Sequence, residues 1–147
     1  MAPRKDVTLK AAVNTHYGAP DVVQIHDVPK PEPDADQVLI RVCATTVSRT
    51  DCGMRRPRPF FIRLFAGLTR PKRTILGMDF AGTVEKVGSS VTSYNRGDRV
   101  FGLSPTTYGA HAEYLCLPEN EPMAARCRRR HRPSSSITCS SNVVARA

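Results

Sequence analysis

The apolar residues of this 147-residue chain fall in short runs, each soon closed by glycine or proline. That spacing admits strands and excludes long helices. Residues 9–13 are a short apolar run, 22–28 alternate in part, and 37–44 alternate apolar with polar through their middle, the period-two mark of a half-buried strand. Between the last two lie Pro29, Pro31 and Pro33, which cannot donate to a sheet ladder and force a loop. A fourth strand is predicted over 80–87, closed by Gly88, Ser89 and Ser90. A turn over 95–98 leads into a fifth at 99–102, and a sixth over 110–117 ends at Pro118. Many short strands with Gly and Pro turns predict a mainly β fold, a small antiparallel barrel or sandwich. One capped helical turn is expected over 50–53, where Thr50 or Asp51 accepts from free backbone N–H groups. Residues 57–73 read as an irregular insertion around the apolar run 60–65, which suits a short helix or a mobile flap.

A formal charge of +9 invites a nucleic-acid or membrane reading, and its distribution argues against both. Residues 1–122 hold 16 Lys and Arg against all 13 acids, a net +3. The other six cations, Arg126, Arg128, Arg129, Arg130, Arg132 and Arg146, lie in a stretch with no acid at all. From Met123 onward there is no periodicity, and no glycine follows Gly109. Low hydrophobicity with clustered charge predicts a disordered Arg/Ser-rich tail over 123–147. The tail has no aromatic residue for base stacking, so specific nucleic-acid binding is not expected. Cys43, Cys52, Cys116, Cys127 and Cys139 are irregularly spaced with no CxxC. That is neither a disulfide framework nor a zinc ribbon, and reduced thiols are expected. The first ten residues are polar and no apolar stretch approaches the ~20 residues of a membrane span. A cytoplasmic protein is expected.

Residues 77–88, Gly-Met-Asp-Phe-Ala-Gly-Thr-Val-Glu-Lys-Val-Gly, followed by Val91 and then Gly97-Asp98-Arg99-Val100-Phe101-Gly102, are similar to the signature of the medium-chain dehydrogenase/reductase superfamily. The strongest likeness is to its quinone oxidoreductase-like members. Residues 10–13 and 18–23 resemble that group's opening strand and turn, and 108–114 its closing strand. Five blocks in the right order across residues 8–122 make the signal specific. The resemblance implies a GroES-like, partly open β-barrel with short helices over 8–122. The glycines also have physical roles: Gly77 and Gly82 bracket a point of close backbone approach, and Gly97 suits the left-handed position of a turn that Asp98 bonds.

Zinc-dependent members of the superfamily place a Cys after the third strand and a His after the signature's first glycine. Here those positions hold Ser48 and Met78. A hydroxyl and a thioether are poor ligands for Zn²⁺, and the four closely spaced Cys of the relatives' structural zinc lobe are absent. The resemblance therefore implies no zinc. It implies instead hydride transfer from NADPH or NADH to an electrophilic carbon of a quinone or enone, acceptors that need less polarisation than a saturated ketone. By resemblance Ser48 and Thr50 are the catalytic candidates, with Ser48 offering a polar contact near the reacting centre. Ser48 and Asp51 are the cofactor-contact candidates, with Asp51 also a helix cap. Met78 is expected to line the substrate cleft, and Asp79 to satisfy buried backbone donors. His111 and Tyr114, three apart on a predicted strand, point to opposite faces and form no catalytic pair. His16 is placed in a surface turn.

Family members continue into a Rossmann domain whose Gly-rich turn holds the pyrophosphate. No GxGxxG occurs here, so no Rossmann domain is expected, and the break in likeness near 122 suggests a tail translated out of frame. The implied chain is the N-terminal portion of an oxidoreductase, truncated and inactive alone. Its rival is a non-enzymatic GroES-like binding module using the apolar run 60–65.

Overall fold

The computed structural model describes residues 8–56 and 70–125 of the protein. It is mainly β. Strands β1 (Thr8–Asn14) and β2 (Val23–Pro29) form an antiparallel hairpin, with a single 3-10 turn at Pro20–Val22 before β2. Strand β3 (Gln37–Thr45) runs into the seven-residue helix α1 (Arg49–Arg55). Strands β4 (Asp79–Val87), β5 (Arg99–Leu103), β6 (Tyr114–Pro118) and β7 (Met123–Ala125) follow. The five-stranded sheet has the order β6-β3-β4-β5-β7, and each neighbouring pair is antiparallel. Both sheets are open among the described residues, in keeping with the partly open barrel that the resemblance implies.

Alternate residues of these strands line one core, although Leu39 of β3 is buried as well. Val38, Ile40 and Val42 of β3 meet Phe80 and Val84 of β4, Val100 of β5, and Leu115 and Leu117 of β6 in one core. Leu9, Ala11 and Val13 of β1 form a second, smaller core with Ala112. Gly82 of β4 lies close against the backbone of β3. A Cβ on it would lie 2.3 Å from the Arg41 carbonyl oxygen, so a side chain there must push two strands apart.

The strand predicted over 110–117 is shorter than expected and begins only at Tyr114. Tyr108 and Gly109 take positive φ values of 56° and 103°, which turns the chain out of strand geometry before Ala110. Residues 110–113 then bond to several elements in succession. Ala110 N donates to Gly77 O, His111 N to Leu76 O, Glu113 N to Lys10 O, and Val42 N to Glu113 O, while Ala112 bridges Ala11. This segment joins the two sheets. A second difference lies at the end: residues 123–125, assigned by sequence to the tail, form β7 on the edge of β5, with Phe101 opposite Ala124. Met-Ala-Ala is too short for its period to show, and the Arg run beside it masks it. The rest of the tail and the apolar run 60–65 lie outside the described residues.

Outside the core, the Lys30 ammonium pairs with the Glu85 carboxylate and sits 3.7 Å from the centroid of the Tyr114 ring. The contact ties the loop after β2 to β4 and β6. Burial alone would raise the Glu85 pKa, but hydrogen bonds from Lys30 and Tyr114 more than offset this and hold it below the usual range. A depressed folded pKa means that Glu85 contributes stability above the ordinary carboxylate range and loses it as pH falls through the folded value. Glu85→Gln is therefore expected to lose less stability than the parent between neutral and acid pH, read as the urea midpoint against pH. The pair is partly exposed, so the effect is small.

Candidate acceptor-facing site

Beyond Thr45, which pairs with Phe80, the β3–β4 ladder ends, and side chains take over the task of holding the chain. Ser48 has extended backbone angles and caps α1, two to three residues before the cap expected from sequence. Its hydroxyl accepts from Asp51 N at 3.4 Å, and its backbone N donates to Asp51 Oδ2 at 2.8 Å. This is a reciprocal capping box with aspartate at the third helical position. The Ser48 hydroxyl also donates to Asp51 Oδ2 at 2.9 Å, and Asp51 Oδ1 accepts from Gly77 N at 3.0 Å. Asp51 is 2% exposed. One carboxylate thus staples the start of α1 to the loop before β4, with Ser48 on one of its oxygens and Gly77, followed by Met78, on the other.

Gly77 is required twice. Its φ is +96°, and a Cβ would lie 2.6 Å from His111 Cδ2 and 2.7 Å from His111 N. The loop can pass the 110–113 segment only as bare backbone. Past it, Met78 is half-buried and its carbonyl accepts from Ser104 N at 2.8 Å. Asp79 differs from expectation. It starts β4, where the ladder to Leu103 already pairs its backbone, and its carboxylate accepts from the Thr46 hydroxyl at 2.6 Å. The Thr45 hydroxyl donates to the Asp79 carbonyl at 2.8 Å.

The structure therefore brings Ser48, Asp51, Gly77 and Asp79 into one cluster with Thr45 and Thr46. Thr50 lies exposed on the first turn of α1. His16 is on the surface beside Thr15. Tyr114 belongs to the Lys30–Glu85 contact. Sequence reasoning weighed His111 only as a partner for Tyr114, and its Nε2 is 3.0 Å from the Thr46 carbonyl oxygen. Its signal was adjacency to the Gly109 turn, which a period-two reading of 110–117 hides. Cys43, Cys52 and Cys116 form no disulfide, and burial pushes the Cys116 thiol up to about 11, which keeps it protonated and unreactive. Among the described residues no group of three His, Cys, Asp or Glu side chains could hold a metal ion, and no helix is long and apolar enough to cross a membrane.

Residues 34–126 match the family model of the alcohol dehydrogenase GroES-like domain. The chain belongs to that family. It is 34% identical over 119 residues to the NADPH-dependent alkenal/one oxidoreductase, chloroplastic, of Arabidopsis thaliana, a match covering 76% of this chain and 29% of the relative. It is 40% identical over 106 residues to the quinone oxidoreductase of Sus scrofa, covering 71% of this chain and 30% of the relative. Among solved structures, the quinone oxidoreductase from Coxiella burnetii superposes with a TM-score of 0.70 at 29% identity, over 85% of this chain and 39% of that one. This GroES-like chain thus spans under a third of the length of these two curated relatives.

Proposed function

We propose that this GroES-like chain is the acceptor-facing domain of a zinc-independent reductase that uses NADPH or NADH to reduce a quinone or enone, and that alone it turns nothing over. The observation that carries the reading is the staple of Ser48, Asp51 and Gly77. It fixes a hydroxyl and, one residue past Gly77, a thioether at the positions where zinc-dependent relatives, by resemblance, carry Cys and His. Neither group suits Zn²⁺. A quinone or enone carbon needs less polarisation, so a hydrogen bond or a water at the Ser48 turn suffices. The names of the relatives, an alkenal/one oxidoreductase and a quinone oxidoreductase, support that acceptor class.

In this reading Ser48 is the polar contact at the reacting centre, and Thr50 flanks it on the exposed side of α1. Asp51 holds the turn, and Met78 is an apolar filler of the cleft. The described residues offer no fit for the phosphate end of a dinucleotide. The one described α-helix has its first turn filled by the Asp51 carboxylate, and no GxGxxG is present. Cofactor binding by the chain alone is therefore weak or absent, and we place the protein in the cytosol.

A second reading, a non-enzymatic GroES-like binding module, is favoured by one observation. A shallow groove between β4, β5 and β7 is lined by Phe80, Phe101, Leu103 and Met123, with Phe101 54% exposed. Purified chain mixed with NADPH and menadione is expected to oxidise the nicotinamide no faster than a protein-free control. Robust, protein-dependent loss of nicotinamide absorbance overturns the inactivity.

A further inference from the structure

His111 stands in the cluster without an assigned task. It belongs to the 110–113 segment that joins the two sheets, and its backbone is fixed at both ends: N donates to Leu76 O at 3.0 Å, and O accepts from Ala12 N at 2.8 Å. Its ring reaches back across Gly77 to the stretch between β3 and α1. There Nε2 lies 3.0 Å from the Thr46 carbonyl oxygen. A carbonyl only accepts, so Nε2 carries the proton, and in the neutral ring Nδ1 is left as the acceptor. The Cδ2 corner faces Gly77, since a Cβ there would meet it at 2.6 Å. The opposite Nδ1–Cε1 edge is therefore turned away from Gly77.

We infer that His111 is a positioning residue, whose Nε2–H clamps the Thr46 carbonyl and so sets how the Ser48 hydroxyl is presented. Between Thr45, the last residue paired to β4, and Arg49, the first of α1, the chain has no ladder. It is held by three side chains from three directions. Asp79 takes the Thr46 hydroxyl, Asp51 takes the Ser48 N–H, and His111 takes the Thr46 carbonyl. The first two fix one side-chain hydroxyl and one N–H. Among the described residues, only the third holds the carbonyl of the peptide between Thr46 and Val47. Val47 itself is 68% exposed and adds little packing. Without the His111 bond that peptide loses the tether on its carbonyl, and Ser48 is left to its bonds with α1 alone.

This inference rests on the reading of the Ser48 turn as acceptor-facing, but its test needs no acceptor. Nitrogen-15 spectra of the histidine side chains of the full chain are expected to show His111 as the Nε2–H tautomer, and the Nδ1–H tautomer overturns the inference. His111→Phe keeps an aromatic ring against Gly77 and removes the donor, whereas His111→Gln supplies an N–H near the Nε2 position. The amide of Ser48 is expected to exchange with solvent about fivefold to tenfold faster in the Phe variant, the scale of one ordinary hydrogen bond. The Gln variant is expected to return it to within about twofold of the parent. Parent-like protection of Ser48 in the Phe variant overturns the inference, as does equal loss in both variants. If the Phe variant fails to fold, the tautomer in the parent and the protection in the Gln variant still decide. Failure of these measurements leaves the acceptor site standing, and failure of an acceptor to contact Ser48 leaves the clamp standing.

Discussion

Asp51→Ala is expected to unfold at a lower urea concentration than the parent, with a loss of about 3 kcal/mol. The carboxylate is 2% exposed and accepts three hydrogen bonds, from Ser48 N, Ser48 Oγ and Gly77 N. Alanine strands the donors of Ser48 and the buried N–H of Gly77, and a stranded buried donor costs its full desolvation. Asp51→Asn keeps one carbonyl oxygen and is expected to fall about midway. An exposed helix cap alone contributes about 1 kcal/mol. A loss no larger than that for Asp51→Ala would show that the link to Gly77 is not made in solution, and the site would lose the element that places Ser48.

Gly77→Ala is expected to be at least as damaging. A residue with a Cβ at φ +96° is strained by about 1–3 kcal/mol. The added methyl also meets His111 Cδ2 at 2.6 Å and His111 N at 2.7 Å. The side chain can yield; the backbone atom, fixed between Leu76 and Ala12, cannot. Overpacking adds about 1–3 kcal/mol, so a loss of about 2–6 kcal/mol is expected, read from thermal or urea unfolding. Gly97 makes the control. Its φ of +92° is also left-handed, but nothing lies within 4 Å of a Cβ there. Gly97→Ala is expected to lose only the strain. Equal losses at the two positions would mean that the 110–113 segment does not press on Gly77.

How far the sequence reaches depends on where the information is held. Strands β3 and β4 are legible because Val38, Ile40 and Val42 on one strand and Phe80 and Val84 on the other recur at every second position toward one core, even though Leu39 is buried too. The turn at Gly97 is legible because glycine and Asp98 each have a local reason to be there, and Asp98 Oδ2 does accept from Asn95 N at 2.8 Å. The helix was legible, its cap only nearly so. Ser48 rather than Thr50 takes that place because Asp51 falls three residues on, where its carboxylate can return the bond. The staple from Asp51 to Gly77 spans 26 residues and leaves no local pattern. His111 was weighed only as a partner for Tyr114, and its bond to Thr46 was hidden for the same reason. Its partner is 65 residues away, and a strand template predicted its neighbours while hiding the bend that frees its ring. Local periodicity reports burial, and a site made of long-range side-chain bonds lies outside its reach.

The claim at the centre of this account is that the Ser48 turn is the surface that meets the acceptor. Titrating the isotope-labelled chain with cyclohexenone, an enone that is not reduced without a hydride donor, tests it most directly. The account predicts backbone and methyl shifts confined to Val47, Ser48, Thr50, Met78 and His111. Shifts that spare these residues and gather instead on Phe101, Leu103 and Met123 would contradict it, and so would a spectrum that does not change at all.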